Sequence, residues 1–264
     1  MAISSSSSIV KLKLKTIEAL KSFLDKVLSD VDLRKQVTGS KKNFTLTRKL
    51  LLCFLAGFIL NMVKRSLSVE IQDFFHSLDK GSFSCTKSAF CQHRKKLLPL
   101  FFIKWNQVLI NNFYESYGKH VKCWKGFWVQ AIDGSTEYLL DKKEVVAHFG
   151  TQDNQFGRTA MARVMQIFDV LNNLIVWGDI SPIKESEQSI MASLVTKLSE
   201  DSIALSDRGY PSFALMFLLV NEKKPSCFVM RCKLGFNKEV HEFVKSGKSS
   251  KVVAFAATDS AIKV

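Results

Sequence analysis

The first half of the chain shows hydrophobic residues at helical spacing. Residues 9–36 repeat apolar side chains every three or four positions, which predicts one amphipathic helix or two. Leu50–Val63 is an apolar run that is shorter than the roughly 18 residues of a membrane-spanning helix. We therefore expect a buried helix there and no membrane segment. Further helices are predicted at Val69–Leu78, at Cys85–Leu98 with Ser84 as its N-cap, and at Leu98–Phe113.

The pattern changes near Gly126, where runs of β-forming residues begin. Strands are predicted at Phe127–Ile132, Val164–Leu171, Leu174–Trp177, Ser202–Ser206, Cys227–Cys232 and Val252–Ala256. Helices are predicted at Glu185–Leu198 and from Pro211 to Val220. Asn172-Asn173 suits the turn of a hairpin, because Asn tolerates a positive φ angle. This order of elements predicts an α/β fold with a mixed β-sheet in the second half of the chain.

The excess positive charge lies in the first half. The net charge is +14, and residues 1–130 hold 22 Lys and Arg against 8 Asp and Glu, whereas residues 131–264 hold 16 of each. A basic part beside a neutral part is typical of a protein that binds a polyanion with one and does chemistry with the other. We interpret residues 1–125 as a helical DNA-binding region and residues 126–264 as a separate core. A charge bias that only aids solubility is the alternative.

One predicted helix concentrates basic side chains. Residues 85–98 carry four candidate DNA-binding residues, which are Lys87, Arg94, Lys95 and Lys96. The turn at residues 79–82 precedes them, and a basic helix after a tight turn is typical of a helix-turn-helix on DNA. A helical bundle with a solvated basic face fits the pattern equally well.

Two aspartates are the candidates for chemistry. Asp133 and Asp207 each follow a predicted strand, and loops at strand ends are where α/β sheets place reactive groups. Phosphodiester chemistry uses divalent ions that stabilise the attacking and leaving oxygens together, and carboxylates on adjacent strands can hold such ions. The alternative is structural, because Asp-Gly is also an ordinary turn and Ser-Asp-Arg-Gly can cap a helix.

Four stretches resemble one known family, the bacterial insertion-sequence transposases with a DDE site and a ribonuclease H-like core. Residues 131–136, Ala-Ile-Asp-Gly-Ser-Thr, resemble the first-aspartate motif, and residues 205–212, with Asp207-Arg208-Gly209-Tyr210, resemble the second. Between them, Ala162-Arg163-Val164, Asp169, Asn172 and Leu174-Ile175 resemble the Ala-Arg…Tyr-Asp…Asn-x-Leu-Ile stretch, with Phe168 in place of Tyr. Upstream, residues 86–90 and 94–97 resemble the helix before the core. The resemblance covers about residues 70–235.

The resemblance implies a fold, a reaction and partners. The strands that lead to Asp133 and Asp207 would pair side by side in a ribonuclease H-like core. Both residues would be catalytic as ligands of Mg²⁺ or Mn²⁺, during DNA strand hydrolysis and strand transfer. The partners would be transposon ends and target DNA, with a homodimer in a synaptic complex, in the bacterial cytoplasm at the nucleoid. Arg208 would contact a phosphate or pair with a carboxylate. Glu187 has a counterpart in the family, and we interpret it as a solvated residue on a helix face.

The sequence departs from the family where the third carboxylate should lie. The family has a Glu in a Tyr-x-x-Arg-x-x-x-Glu-x-x-x-x-x-x-Lys motif, and the acids Glu222, Glu239, Glu242 and Asp259 lack its flanking residues. We therefore expect a truncated core that binds metal weakly and does not transpose DNA by itself. Two other functions stay open: a non-enzymatic DNA-binding protein with a scaffold core, and a stand-alone nuclease with a different third ligand, such as Glu239.

Overall fold

The chain combines helices with a mixed β-sheet, which confirms the predicted α/β class. The computed structural model describes residues 3–45, 50–62, 65–81, 84–155, 157–221 and 227–254. They form two compact units, Met1–His120 and Val121–Val264, with a division close to the predicted boundary after residue 125.

The first unit is helical. Its helices are α1 (Ile3–Ser29), α2 (Val31–Thr38), α3 (Leu52–Asn61), α4 (Leu67–Ser77), α5 (Lys87–Arg94) and α6 (Pro99–Tyr117), followed by a 3₁₀ turn at Gly118–His120. Three fully buried rings, Phe75, Phe90 and Phe101, lie in its hydrophobic core. Large aromatic side chains bury the most apolar surface, so they dominate the stability of this core. None of the helices among the described residues is both long and apolar enough to cross a membrane.

The second unit is built on a six-stranded sheet. Its elements, in chain order, are β1 (Trp128–Tyr138), α7 (Lys143–Phe149), β2 (Thr151–Asn154), β3 (Gly157–Asp169), β4 (Leu174–Pro182), α8 (Glu187–Leu194), β5 (Ser202–Ser206), α9 (Phe213–Asn221), β6 (Cys227–Met230) and α10 (Lys238–Lys245). The strand order is β2-β3-β1-β5-β6, and β4 also pairs with β3. The pairs β1–β5 and β5–β6 are parallel, and the pairs that involve β3 are antiparallel.

The core of the second unit lies between one face of the sheet and two helices. Ile132, Met165 and Ile167 face it from the sheet, with Met191 of α8 and Leu219 of α9 opposite. Alternate residues of a strand point to opposite faces. Asp133 therefore projects away from the face that Ile132 covers.

The predicted hairpin between β3 and β4 is formed, but its turn spans residues 170–173 and not Asn172-Asn173 alone, because β3 ends at Asp169 and pairs it with Leu174. Asn173 has a φ angle of +58°, as the turn requires. Asp169, at the end of β3, is fully buried and accepts hydrogen bonds from the backbone N–H groups of Leu171 and Asn172 and from the Asn172 amide. Asp169 thus stabilises the turn.

The basic helix is shorter than predicted. Its N-cap is Thr86 and not Ser84, because the Thr86 hydroxyl accepts a hydrogen bond from the Ala89 N–H at 3.2 Å. The helix ends at Arg94, and Leu98 has an extended backbone before Pro99 opens α6. A residue before proline is restricted to extended conformations, so one helix cannot continue through this point.

Other element ends also differ from the prediction. Helix α6 runs on to Tyr117, α8 is shorter at both ends than Glu185–Leu198, and α9 begins at Phe213. Helix α10 was not predicted, and Asn237 caps it by accepting a hydrogen bond from the Val240 N–H at 2.8 Å. The predicted strand at 252–256 is not formed by residues 252–254, and its last two residues lie outside the described residues.

The most important correction concerns β1, which was predicted to end before Asp133. The strand continues to Tyr138, because residues 133–138 pair antiparallel with residues 161–166 of β3. The Asp-Gly-Ser sequence has a turn propensity, but the long partner strand supplies hydrogen bonds that a turn would leave unmade. Asp133 therefore lies within a strand.

Candidate functional site

The two candidate aspartates lie at the same level of neighbouring strands. Strands β1 and β5 pair in parallel from Trp128 with Ser202 to Ala131 with Leu205. The same pairing, continued two residues beyond Ala131 and Leu205, places Asp133 opposite Asp207, which directly follows β5. Neighbouring strands are about 4.8 Å apart. The strand pairing implied by the family resemblance is therefore present, although Asp133 is held inside β1.

The Asp133 carboxylate is exposed, and its backbone is fixed by strand pairing. Its main chain pairs with Gln166 of β3, and its Oδ1 accepts a hydrogen bond from the Gly134 N–H at 2.9 Å. The Tyr210 hydroxyl lies 3.5 Å from the same oxygen. The side chain opens onto a cleft of about 370 Å³, which is also lined by Ala131, Ser135, Val164, Gln166 and Phe168. The carboxylate is accessible to an ion or a phosphate on this side.

Asp207 is exposed and faces a cation. Arg231, just after β6, places its Nη1 3.5 Å from Asp207 Oδ1, and its N–H donates to the Ser206 carbonyl at 3.1 Å. Both side chains are more than half exposed, at 63% for Asp207 and 64% for Arg231. Exposed ion pairs contribute little to stability, about 0–1 kcal/mol, so a competing ligand could displace Arg231 at low cost.

A basic cleft adjoins Asp207. It has a volume of about 330 Å³ and is lined by Gln188, Arg208, Gly209, Pro211, Lys233, Gly235 and Phe236. Arg208 and Lys233 are both exposed, and neither side chain has a hydrogen bond or ion pair within the part of the chain that the structure describes. Of the two alternatives for Arg208, the carboxylate pair is not formed among those residues.

A third carboxylate, Glu187, lies over Gly134, the residue after Asp133, on the face of the sheet that Ile132 covers. It is the first residue of α8, and its Oε1 forms an ion pair with Nη1 of Arg163 from β3. A Cβ on Gly134 would lie 3.5 Å from Glu187 Cδ and 3.3 Å from the Tyr210 hydroxyl. The Glu187 side chain is 36% exposed, so it is partly solvated as interpreted, but its carboxylate is paired with the more buried Arg163.

The Tyr210 hydroxyl is held between two negative charges. The residue is 2% exposed, and burial raises the pKa of its hydroxyl far above the ordinary value. The charges of Glu187 and Asp133 raise this pKa further, since they oppose a phenolate. The hydroxyl is therefore protonated and serves as a donor throughout the physiological pH range.

The predicted DNA-binding residues of the first unit lie on or just after α5. Lys87, Arg94 and Lys95 are exposed, and Lys96 is partly buried. Helix α5 packs its fully buried Phe90 into the core, and the Arg94 guanidinium lies 5.8 Å from that ring's centroid. A basic, solvent-facing surface is thus anchored by one aromatic side chain.

The structure does not assemble a complete metal site around the two aspartates. No group of three or more His, Cys, Asp or Glu among the described residues is placed to hold a metal ion. Glu239, the alternative third ligand, lies on α10 with Oε2 2.5 Å from Lys251 Nζ. Glu222 and Asp259 are outside the described residues.

Sequence reasoning missed the roles of Arg163, Glu187 and Tyr210. Arg163 and Tyr210 belong to stretches that resemble the family, but that resemblance assigned them no contact. The available signal was Gly134, because a glycine inside a strand often marks a close approach by another group. The approach at Gly134 comes from the Tyr210 hydroxyl, the Glu187 carboxylate and the Met165 side chain.

No protein-family model and no curated protein sequence matches this chain.

Proposed function

We propose that this chain is a DNA transposase of the DDE class that uses Asp133 and Asp207 as ligands of Mg²⁺ or Mn²⁺. The observation that carries the proposal is the parallel register of β1 and β5, which brings the two aspartates to the same level of adjacent strands. Asp is a short, hard oxygen ligand, and Mg²⁺ commonly binds through one or two carboxylates plus water and phosphate oxygens.

The residues at the site fit such an ion. Both carboxylates are exposed, and among the described residues Asp133 accepts side-chain hydrogen bonds at Oδ1 alone, from Gly134 and Tyr210. A divalent ion held there would supply a Lewis acid that activates water and stabilises charge on the phosphate. Two carboxylates leave most of the coordination sphere to water, so we expect weak binding by this chain alone.

The surrounding cations fit a polyanionic substrate. Arg208 and Lys233 would bind phosphates next to Asp207, and Arg231 would move from the carboxylate to the substrate. Lys87, Arg94, Lys95 and Lys96 would hold DNA through the first unit. We further propose transposon ends and target DNA as ligands, a homodimer on paired ends, and action at the bacterial nucleoid.

The metal part of the proposal is tested by titration of the full chain with Mn²⁺ in a calorimeter. We expect Asp133→Asn and Asp207→Asn each to weaken binding by at least about tenfold. Asp141→Asn, an exposed Asp in the same unit, is the matched control and should bind like the wild type. Equal binding by all four proteins would refute the metal site. Robust Mg²⁺-dependent DNA cleavage by the chain would contradict the expectation of an incomplete site.

A non-enzymatic DNA-binding protein is the second candidate, because the positive excess lies outside the residues that hold the two aspartates. DNA binding by fluorescence anisotropy should weaken steeply with salt, as released counterions require. Replacing Arg94, Lys95 and Lys96 by Ala should weaken binding more than replacing Lys142, Lys143 and Lys184, which removes the same charge. Equal losses of DNA affinity in the two variants would show that the α5 residues contribute only their charge and form no specific DNA-binding surface. If binding is intact while both Asp→Asn variants change nothing measurable, the non-enzymatic candidate is correct.

A further inference from the structure

Three side chains connect the elements that carry the two candidate aspartates. Arg163 projects from β3, Glu187 begins α8, and Tyr210 follows Asp207 in the loop after β5. Glu187 and Tyr210 meet over Gly134, the residue next to Asp133, and Arg163 pairs with Glu187. Strand, helix and loop are thus joined at the backbone of the exposed carboxylate.

Arg163 fixes the start of α8. Its Nη1 pairs with Glu187 Oε1, its Nε donates to the Glu185 carbonyl at 3.0 Å, and its Nη2 donates to the Ile183 carbonyl at 3.4 Å. A guanidinium that uses three nitrogens in this way holds its partners in one geometry. The Glu187 carboxylate is therefore fixed relative to β3.

The loop after Asp207 is fixed to the same helix. Gln188, the second residue of α8, donates from Nε2 to the Gly209 carbonyl at 3.1 Å. Tyr210 is almost fully buried, with its ring in the core of the unit. Its hydroxyl consequently cannot leave the position 3.5 Å from Asp133 Oδ1 without disrupting the packing.

We propose that Tyr210, held by the Glu187–Arg163 pair, is a positioning residue that sets the orientation of the Asp133 carboxylate. A tyrosine hydroxyl has one proton to donate. The Glu187 carboxylate and Asp133 Oδ1 both face that hydroxyl. Because Glu187 is already paired with Arg163, the proton goes to Asp133 Oδ1 and restrains rotation of that carboxylate. The role as an aid to metal binding rests on the proposed function, whereas the restraint itself is a property of the metal-free protein.

The metal-free test uses selective NMR labelling of the full chain. Asp133-Gly134 is the only Asp-Gly step in the sequence, so carbonyl-¹³C aspartate with ¹⁵N glycine gives a single correlated amide signal, that of Gly134. This amide donates to Asp133 Oδ1 and therefore reports the carboxylate's orientation. We expect Tyr210→Phe and Glu187→Gln to shift or broaden the signal. Tyr138→Phe, at a 70% exposed tyrosine of the same strand, should leave it in place. An unchanged signal in Tyr210→Phe would overturn the proposal.

The metal test separates this proposal from the proposed function. In Mn²⁺ titrations of the full chain, Tyr210→Phe should weaken Mn²⁺ binding by about 10–100-fold, as loss of a residue that orients a metal ligand does. Urea unfolding of the same variant identifies any loss that comes from folding alone. If Asp133→Asn loses Mn²⁺ binding while a folded Tyr210→Phe binds normally, positioning is refuted and the metal site stands. If Asp133→Asn binds normally, the metal site is refuted and the NMR result alone decides positioning.

Discussion

Replacement of Gly134 by Ala tests the close packing on which the site depends. An added Cβ would lie 2.6 Å from Met165 Sδ, 3.3 Å from the Tyr210 hydroxyl and 3.5 Å from Glu187 Cδ. Met165 is fully buried in the core, so its sulfur can move only by displacing other side chains. Such overpacking costs about 1–3 kcal/mol. The lower entropy of the unfolded alanine chain offsets about 0.4–1 kcal/mol of this. We therefore expect a net loss of about 0.5–2 kcal/mol.

The assay is urea unfolding of the second unit, followed by tryptophan fluorescence. In a Trp105→Phe background, the remaining tryptophans all lie between residues 124 and 177 and report this unit alone. The matched control is Gly235→Ala, because a Cβ there meets nothing within 4 Å. It should be neutral or slightly stabilising.

A Met165→Ala background identifies which contact causes the loss of stability in Gly134→Ala. In Met165→Ala the sulfur is absent, so the added methyl at residue 134 should cost less than in the wild type. An undiminished stability of Gly134→Ala, or an equal loss in Gly235→Ala, would show that the packing over Gly134 is not as close as described. The reasoning about the Tyr210 contact would then fail with it.

Further predictions concern buried polar groups of the second unit, each measured as the free energy of unfolding in urea. Gln130→Leu should destabilise by about 1–3 kcal/mol, because it removes the partner of the Ser199 N–H and hydroxyl; an unchanged value would contradict this. Asp169→Ala should cost about 2 kcal/mol or more, since the turn loses a buried charged acceptor, and a loss below 0.5 kcal/mol would refute that role. Stability should fall as pH rises above about 10, because the unfolded chain ionises Tyr210 while its raised pKa prevents this in the fold. Tyr210→Phe, compared without metal, should lessen this alkaline loss, and an equal pH dependence would argue against the burial of the hydroxyl.

Elements could be predicted from the sequence where their own residues are sufficient to indicate the backbone conformation. The strand Ser202–Ser206 has the predicted ends, and the Asn172-Asn173 turn has the expected positive φ angle at Asn173. Short apolar runs bounded by polar residues, and turn-forming residues, act through the conformations of their own backbone. The α/β class and the approximate border between the helical part and the sheet follow from the same signals.

Elements whose ends depend on a distant partner could not be predicted in this way. Strand β1 passes through Asp133 because β3 pairs with it, whereas the Asp133-Gly134-Ser135 sequence by itself favours a turn. Helix α10 was missed because its polar sequence gives only a short amphipathic pattern, and the Asn237 cap adds little to that signal.

The sequence by itself determined which residues could do chemistry, namely Asp133, Asp207 and the basic side chains around them. Only the tertiary structure decided how they stand to one another. The level shared by the two aspartates comes from the register of β1 with β5. The place of Glu187 comes from Arg163, 24 positions away in the chain. Both are set by hydrogen bonds and packing between segments that are distant in sequence, and local backbone preference does not encode such contacts.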